Sequence, residues 1–294
     1  MTLRRNTRSF APSRLSRASG WADSTLDQLA WRRGQRATLR WGWWGAACGA
    51  LAALLAFAPA AWVATAVNTA TGGRLQLAQA RGSVWGGSAV LVLGGGNGSR
   101  DAAVLPGRLN WSLRPRWNGA ELVIQEACCL RGELALRLRI GSDGVEWTVP
   151  AREDAIGDWP ASLLVGLGAP WNSLKLDGSL RLSSGGVLLR RDRGQWRMTG
   201  TANLELLAAS ASVSPLPVLG SWRLSLRGDG DGSAALNLST LAGPLLLSGS
   251  GYWRDQAAHF RGEAQADPGQ EAALSNLLNI VGRRQGARSL IAIG

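Results

Sequence analysis

Between Arg40 and Arg74 the chain carries no formally charged side chain, and the stretch from Trp41 to about Val67 is rich in Ala, Leu and Trp. About 20 apolar residues suffice to cross the hydrocarbon core of a bilayer. This interval therefore constrains the chain more than any other, and it predicts a single transmembrane helix over residues 41–67. Trp41, Trp43 and Trp44 stand at one end and Trp62 near the other, the two interfacial positions that favour amphipathic indoles. Leu51, Leu54, Leu55, Phe57 and Val63 supply its apolar body. Pro59 falls inside the stretch and predicts a kink, which membrane helices tolerate better than soluble ones. A cleaved signal peptide is the rival reading, but the arm over residues 1–40 is too long for one and the apolar run exceeds the usual 7–15 residues.

The charge distribution orients that helix. The formal charge of +12 is concentrated at the start: the first 40 residues hold nine arginines against Asp23 and Asp27. Arginine excess keeps a flank in the cytoplasm. Residues 1–40 thus read as a disordered cytoplasmic tail, and residues 68–294 as a periplasmic domain. The remaining positive charge is spread over polar strand faces, so no nucleic-acid partner is expected.

Beyond the apolar stretch the hydrophobic period becomes two, the signature of half-buried strands. Leu109, Trp111 and Leu113 alternate with polar neighbours, as do Leu134, Leu136, Leu138 and Ile140. The pattern returns in Leu174, Leu176, Leu180 and Leu182, and in Trp222, Leu224 and Leu226. Asn118-Gly119, Asp143-Gly144, Gly185-Gly186, Arg193-Gly194 and residues 228–232 punctuate these runs as turns. The fold class that follows is mainly β: a twisted antiparallel meander behind a membrane helix. Two later stretches read as helix, a short one near residues 161–167 and a longer one over about 270–284. In the second, Leu274, Leu277, Leu278 and Val281 share a face, and Arg283, Arg284 and Gly286 suit a helix C-terminus.

Catalytic constellations are missing from the pattern. His259, the only histidine, sits in an alternating run and reads as a surface strand residue. No spacing of His, Cys and carboxylates makes a metal site. Asp229-Gly-Asp231-Gly lacks the remaining ligands of a calcium loop and reads as a hairpin turn. Residues 94–99 form a glycine-rich loop without the Lys and Ser/Thr of a phosphate cradle. No enzyme activity and no cofactor are expected. Three cysteines, Cys48 and the adjacent Cys128 and Cys129, do not make a disulfide framework, and the pair reads as two thiols, with its oxidation state open.

Four segments together resemble a known family: residues 80–89 (ARGSVWGGSA), 105–115 (LPGRLNWSLRP), 216–226 (LPVLGSWRLSL), and 273–284 (ALSNLLNIVGRR) followed by 286–291 (GARSLI). In this order they resemble the N subunit of the type II secretion system, the general secretion pathway protein N family. The long arginine-rich arm is a departure from that pattern. The resemblance implies an accessory protein of the Gram-negative inner membrane that serves export of folded proteins from the periplasm through the outer membrane. It also implies an AsmA-like β domain, an open half-barrel with a C-terminal helix, and it transfers no catalytic residues.

Candidate partner contacts follow from the same segments: Arg81, Gly82, Ser83 and Trp85 in the first, and Leu274, Leu277, Leu278, Arg283 and Arg284 in the last. For each, a plain structural role competes. Gly82 and the Gly86-Gly87 pair suit a tight turn, with Trp85 covering one end of the sheet, and the leucines suit packing on the sheet. The expected partners are other secretion subunits and the inner membrane. The rival function is lipid handling, because four strands each present an apolar row and only one long helix is available to cover them.

Overall fold

The structure is a computed structural model that describes residues 41–294, apart from residues 143, 153, 170, 193, 255 and 256. The arginine-rich tail, residues 1–40, lies outside the described residues. The chain divides into two compact units, Met1–Phe57 and Ala58–Gly294.

In the first unit, residues 41–56 form helix α1, and every one of them is exposed. The helix expected over 41–67 is therefore not continuous. Proline disfavours helical backbone in the residue before it and cannot donate a hydrogen bond. Pro59 accordingly leaves the helix and pairs as a β-bridge with Ser83, while the Ala58 carbonyl accepts the Val84 N–H at 2.9 Å. A separate helix, α2 (Ala60–Ala70), starts directly after it. Among the described residues, no helix is long and apolar enough to cross a membrane.

The second unit is one 16-stranded sheet in which every strand pair is antiparallel. Its first half comprises β1 (Leu75–Gly82), β2 (Gly86–Gly94), β3 (Ala102–Val104), β4 (Leu109–Arg116), β5 (Gly119–Glu126), β6 (Glu133–Gly141), β7 (Gly144–Ala151) and β8 (Gly157–Pro160). A 3-10 helix (Ala161–Leu167) and a single turn, α3 (Trp171–Leu174), lead into the long strands β9 (Leu176–Asp192) and β10 (Gln195–Ala211). Then follow β11 (Gly220–Asp229), β12 (Ala234–Ala242), β13 (Leu245–Arg254), β14 (Ala257–Ala266), helix α4 (Glu271–Val281), β15 (Arg283–Gln285) and β16 (Arg288–Ile293). Neighbours in sequence are neighbours in the sheet along almost the whole path, which is the expected meander. β3 and β8 pair outside that path, on β2 and β9, and the ends of the path are β1 and β15.

Strand register collects the leucines on one face. Leu182, Leu204, Leu224 and Leu238 stand opposite one another across β9 to β12, and Gly249 and Gly262 continue the row on β13 and β14. Side chains alternate across a strand, so one run of even spacing puts all four leucines on one side. The core lies where helical segments cover this face. α4 lays Leu274, Leu277 and Leu278 on Trp222, Leu245, Ala264 and Ala266, and α3 adds Leu174 to the same cluster. At the other end of the sheet α2 brings Ala60 and Val63 against Ala89 and Trp111.

Two local expectations change. Leu174 is helical rather than the start of a strand, with Lys175 at φ 43° making the corner into β9. The last helix stops at Val281, not Arg284: Gly282 is extended, and Arg283 and Arg284 open the β15–β16 hairpin that turns at Gly286, φ 60°.

Candidate interaction site

The turn between β1 and β2 is fixed by backbone demands. Gly82 has φ 90°, and a Cβ there would lie 2.6 Å from the Gly86 carbonyl oxygen. Only glycine tolerates that combination cheaply. Ser83 donates its N–H to the Gly86 carbonyl at 2.9 Å, and its hydroxyl accepts the Gly86 N–H at 3.2 Å. Arg81 and Gly82 are exposed, and Trp85 keeps 39% of its surface. Trp85 is thus not the indole that closes this end of the sheet.

That role falls to Trp111, which alternation places on a strand and which lies in the 105–115 segment. It is 7% exposed, its ring lies where a Cβ on Gly87 would sit, and its Nε1 donates to the Val84 carbonyl at 3.2 Å. Trp222 on β11 repeats the arrangement: it is buried beside Gly220 and donates to the Leu245 carbonyl at 2.9 Å. A buried indole needs a partner for its N–H. The available signal was the glycine close to each tryptophan in the sheet, at positions that register alone reveals.

Of the candidate contacts in the last segment, Leu274, Leu277 and Leu278 are at most 2% exposed. They cover the sheet and are not free to meet a partner. Arg283 and Arg284 are exposed on β15, and the Arg284 Nε donates to the Gly286 carbonyl at 2.7 Å. These two arginines and the Arg81–Trp85 turn belong to opposite ends of the strand order.

Towards the strand ends away from the core under α4, the apolar face of β9 to β13 is open. Leu182, Leu189, Met198, Leu204, Leu224 and Leu226 line a groove of 440 Å³, with Trp196 and Trp253 at its rim. Leu204 remains 38% exposed and Trp253 47%. A volume of this size falls within the ~300–1,000 Å³ of small-molecule sites. Alternation in single strands announced Leu182, Leu224 and Leu226 but not Leu189, Met198 or Leu204, and the convergence of all six required the register of β9 to β12.

The anchor residues divide. Trp41, Trp43, Trp44, Leu51, Leu54, Leu55 and Phe57 are all more than half exposed. Trp62 and Val63 lie beyond Pro59 on α2, and Val63 packs on the Trp111 cluster, so it is a core residue of the second unit.

Cys128 and Cys129, read as two thiols, form a vicinal disulfide in the turn after β5. The Glu126 carboxylate accepts the N–H of Cys128 at 2.7 Å and of Cys129 at 2.9 Å. These three side chains offer donor atoms within 4.8 Å of one another. With the sulfurs bonded to each other, no thiolate is available to a metal. His259 is exposed on β14 with its ring 5.0 Å from that of Tyr252. Asp231 accepts the N–H and hydroxyl of Ser233, and this backbone hydrogen bond holds its carboxyl below the usual range; it is a hairpin turn, as expected.

The family model of type II secretion system (T2SS), protein N, matches residues 73–290. No curated protein and no solved structure matches the chain.

Proposed function

The chain belongs to the type II secretion system protein N family, and from that premise we propose that it is an accessory inner-membrane component of the export machinery, working through contacts with other secretion subunits. Membership ties the chain to type II secretion and to its other components. The finer reading is of a protein held by α1, with the β unit on the periplasmic side and no catalytic step of its own.

One observation carries the anchor. A helix that is apolar all round is stable inside a protein core or a membrane, and α1 exposes Trp41, Trp44, Leu51, Leu54 and Leu55 on one side and uncharged Gly and Ala, among them Gly45, Gly49, Ala52 and Ala56, on the other. At 1.5 Å per residue, residues 41–56 extend about 24 Å, somewhat short of the ~30 Å hydrocarbon core. Local thinning of the bilayer accommodates such a mismatch at fractions of a kcal/mol per Å. Arginine excess in residues 1–40 supports a cytoplasmic N-terminus.

For the partner side, the exposed Arg81–Trp85 turn and the edge strand β15 with Arg283 and Arg284 are the surfaces best suited to a protein. Edge strands add partner strands through main-chain hydrogen bonds. Affinity purification from membranes carrying tagged secretion subunits tests the reading: co-purification that Arg283→Glu with Arg284→Glu weakens is expected, and enrichment of no secretion subunit would sink it.

The open groove on β9 to β12 favours a second reading, in which an AsmA-like sheet holds the acyl chain of a lipid. Mass spectrometry of gently extracted protein separates the two. Stoichiometric lipid is expected on this reading, and its absence removes it.

A further inference from the structure

We propose that the Cys128–Cys129 disulfide is a thiol-exchange site that is opened by a dithiol reductant, with Cys128 Sγ as the sulfur attacked. A disulfide stabilises a fold chiefly by closing a loop in the unfolded chain, and more so for longer loops. This one joins adjacent residues, so it closes no loop and contributes little by that route. The turn is held by bonds that do not depend on it. Glu126 takes both cysteine N–H groups, the Cys129 carbonyl accepts the Asp158 N–H at 2.8 Å, and the Arg131 N–H donates to the Ile156 carbonyl at 2.9 Å. Opening the bridge therefore leaves the turn in place.

The two sulfurs are unequal. Cys128 is exposed, whereas Cys129 is 8% exposed and packed with Leu105 and Leu163. A thiolate reaches the outer sulfur, forms a mixed disulfide with Cys128 and displaces Cys129 as the leaving thiolate. That charge develops among apolar side chains and beside the Glu126 carboxylate, whose oxygen lies within 4.8 Å of both sulfurs. Apolar surroundings and a nearby anion both disfavour a thiolate, and a poor leaving group slows exchange. A monothiol is thus expelled as Cys129 re-forms the bond. A dithiol completes the reaction: its second sulfur attacks the mixed disulfide and leaves as a cyclic disulfide. Two electrons and two protons pass from the dithiol to Cys128 and Cys129.

The full chain in detergent supports the test, with tagging after acid quench and unfolding in SDS so that Cys48, the one free cysteine and part of the proposed anchor, counts as the constant thiol. The natively folded, air-oxidised chain is treated with dithiothreitol or with 2-mercaptoethanol at equal thiol concentration, then tagged with a mass-shifting maleimide. One tagged thiol is expected before treatment and after the monothiol, and three after the dithiol, with an unchanged circular dichroism spectrum. In single variants, Cys128 in Cys129→Ser is expected to react roughly tenfold faster than Cys129 in Cys128→Ser, as exposure dictates. Three tags on the oxidised chain, one tag after the dithiol, equal reduction by both reagents, or equal rates in the two variants would each overturn the proposal.

Discussion

On the polar face of the sheet, Glu121, Glu146 and Glu205 each stand in register between two arginines of flanking strands: Arg114 and Arg137, Arg139 and Arg190, Arg181 and Arg223. The carboxylates are largely covered but each arginine partner is open to water, which keeps such pairs to about 0–1 kcal/mol each, so their effect is on register more than on stability. A slip by one residue would bring every carboxylate to the leucine face. Asp158 on β8 is likewise held by two arginines. It accepts the Arg181 Nε at 2.8 Å and a further bond from Arg131, and the hydrogen bond from Arg181 holds its carboxyl below the usual aspartate value. A carboxyl depressed in the folded state adds stability above its unfolded value and loses it as pH falls through the folded one. Thermal stability is therefore expected to drop below roughly pH 4. Melting curves of the wild type and Asp158→Asn check this, since the two should converge as pH falls. At the β1–β2 turn, Gly82→Ala forces a side chain into φ 90° against the Gly86 carbonyl. A loss of about 1–3 kcal/mol is expected in denaturant unfolding, and an unchanged midpoint would refute the turn geometry.

Helix α4 tests the division between core and contact surface at the scale of an element. Leu278 is fully buried in the cluster with Trp222 and Leu245, whereas Ile280 on the same helix is 43% exposed. Leu278→Ala should cost about 2–5 kcal/mol through lost burial and the cavity left behind. Ile280→Ala should stay within roughly 0.5 kcal/mol. Chemical denaturation of both variants decides it, and equal effects would mean that α4 is not seated as described. The face of this helix was legible in the sequence because Leu274, Leu277 and Leu278 recur at helical spacing. Its end was not: Arg283, Arg284 and Gly286 serve a helix C-terminus and a short hairpin equally well, and a three-residue strand such as β15 has no period to detect. The same ambiguity hid the break at Pro59, since proline in an apolar run reads as a kink until its β-bridge to Ser83 is seen. Strands were legible wherever Leu alternated with Arg or Ser. The groove was not, because cross-strand register and the absence of a covering element are properties of pairs and triples of strands. The Cys128–Cys129 bridge lay beyond reach for a like reason, in that adjacent cysteines are compatible with either redox state.

For the whole molecule, the break after α1 divides the labour between the two units. The apolar stretch read as one span supplies an exposed helix over residues 41–56 and, from Ala58, residues that belong to the β unit, with Ala58 and Ala60 buried at 4% and 1%. On the proposed anchoring, membrane attachment depends on α1 alone, whereas α2 packs on the sheet through Ala60 and Val63. Leu51 and Leu55, one helical turn apart, allow the two to be separated. An arginine at the centre of a membrane helix costs about 2.5–3.5 kcal/mol, so Leu51→Arg with Leu55→Arg should move the chain from the carbonate-resistant membrane pellet to the soluble fraction. The β unit should keep its strand signal in circular dichroism. Trp62→Arg, at a half-exposed site on α2, should leave fractionation unchanged, because it lies outside the anchoring helix. Retention of the double arginine variant in the pellet would mean that the sheet itself, through its open leucine face, holds the chain at the membrane.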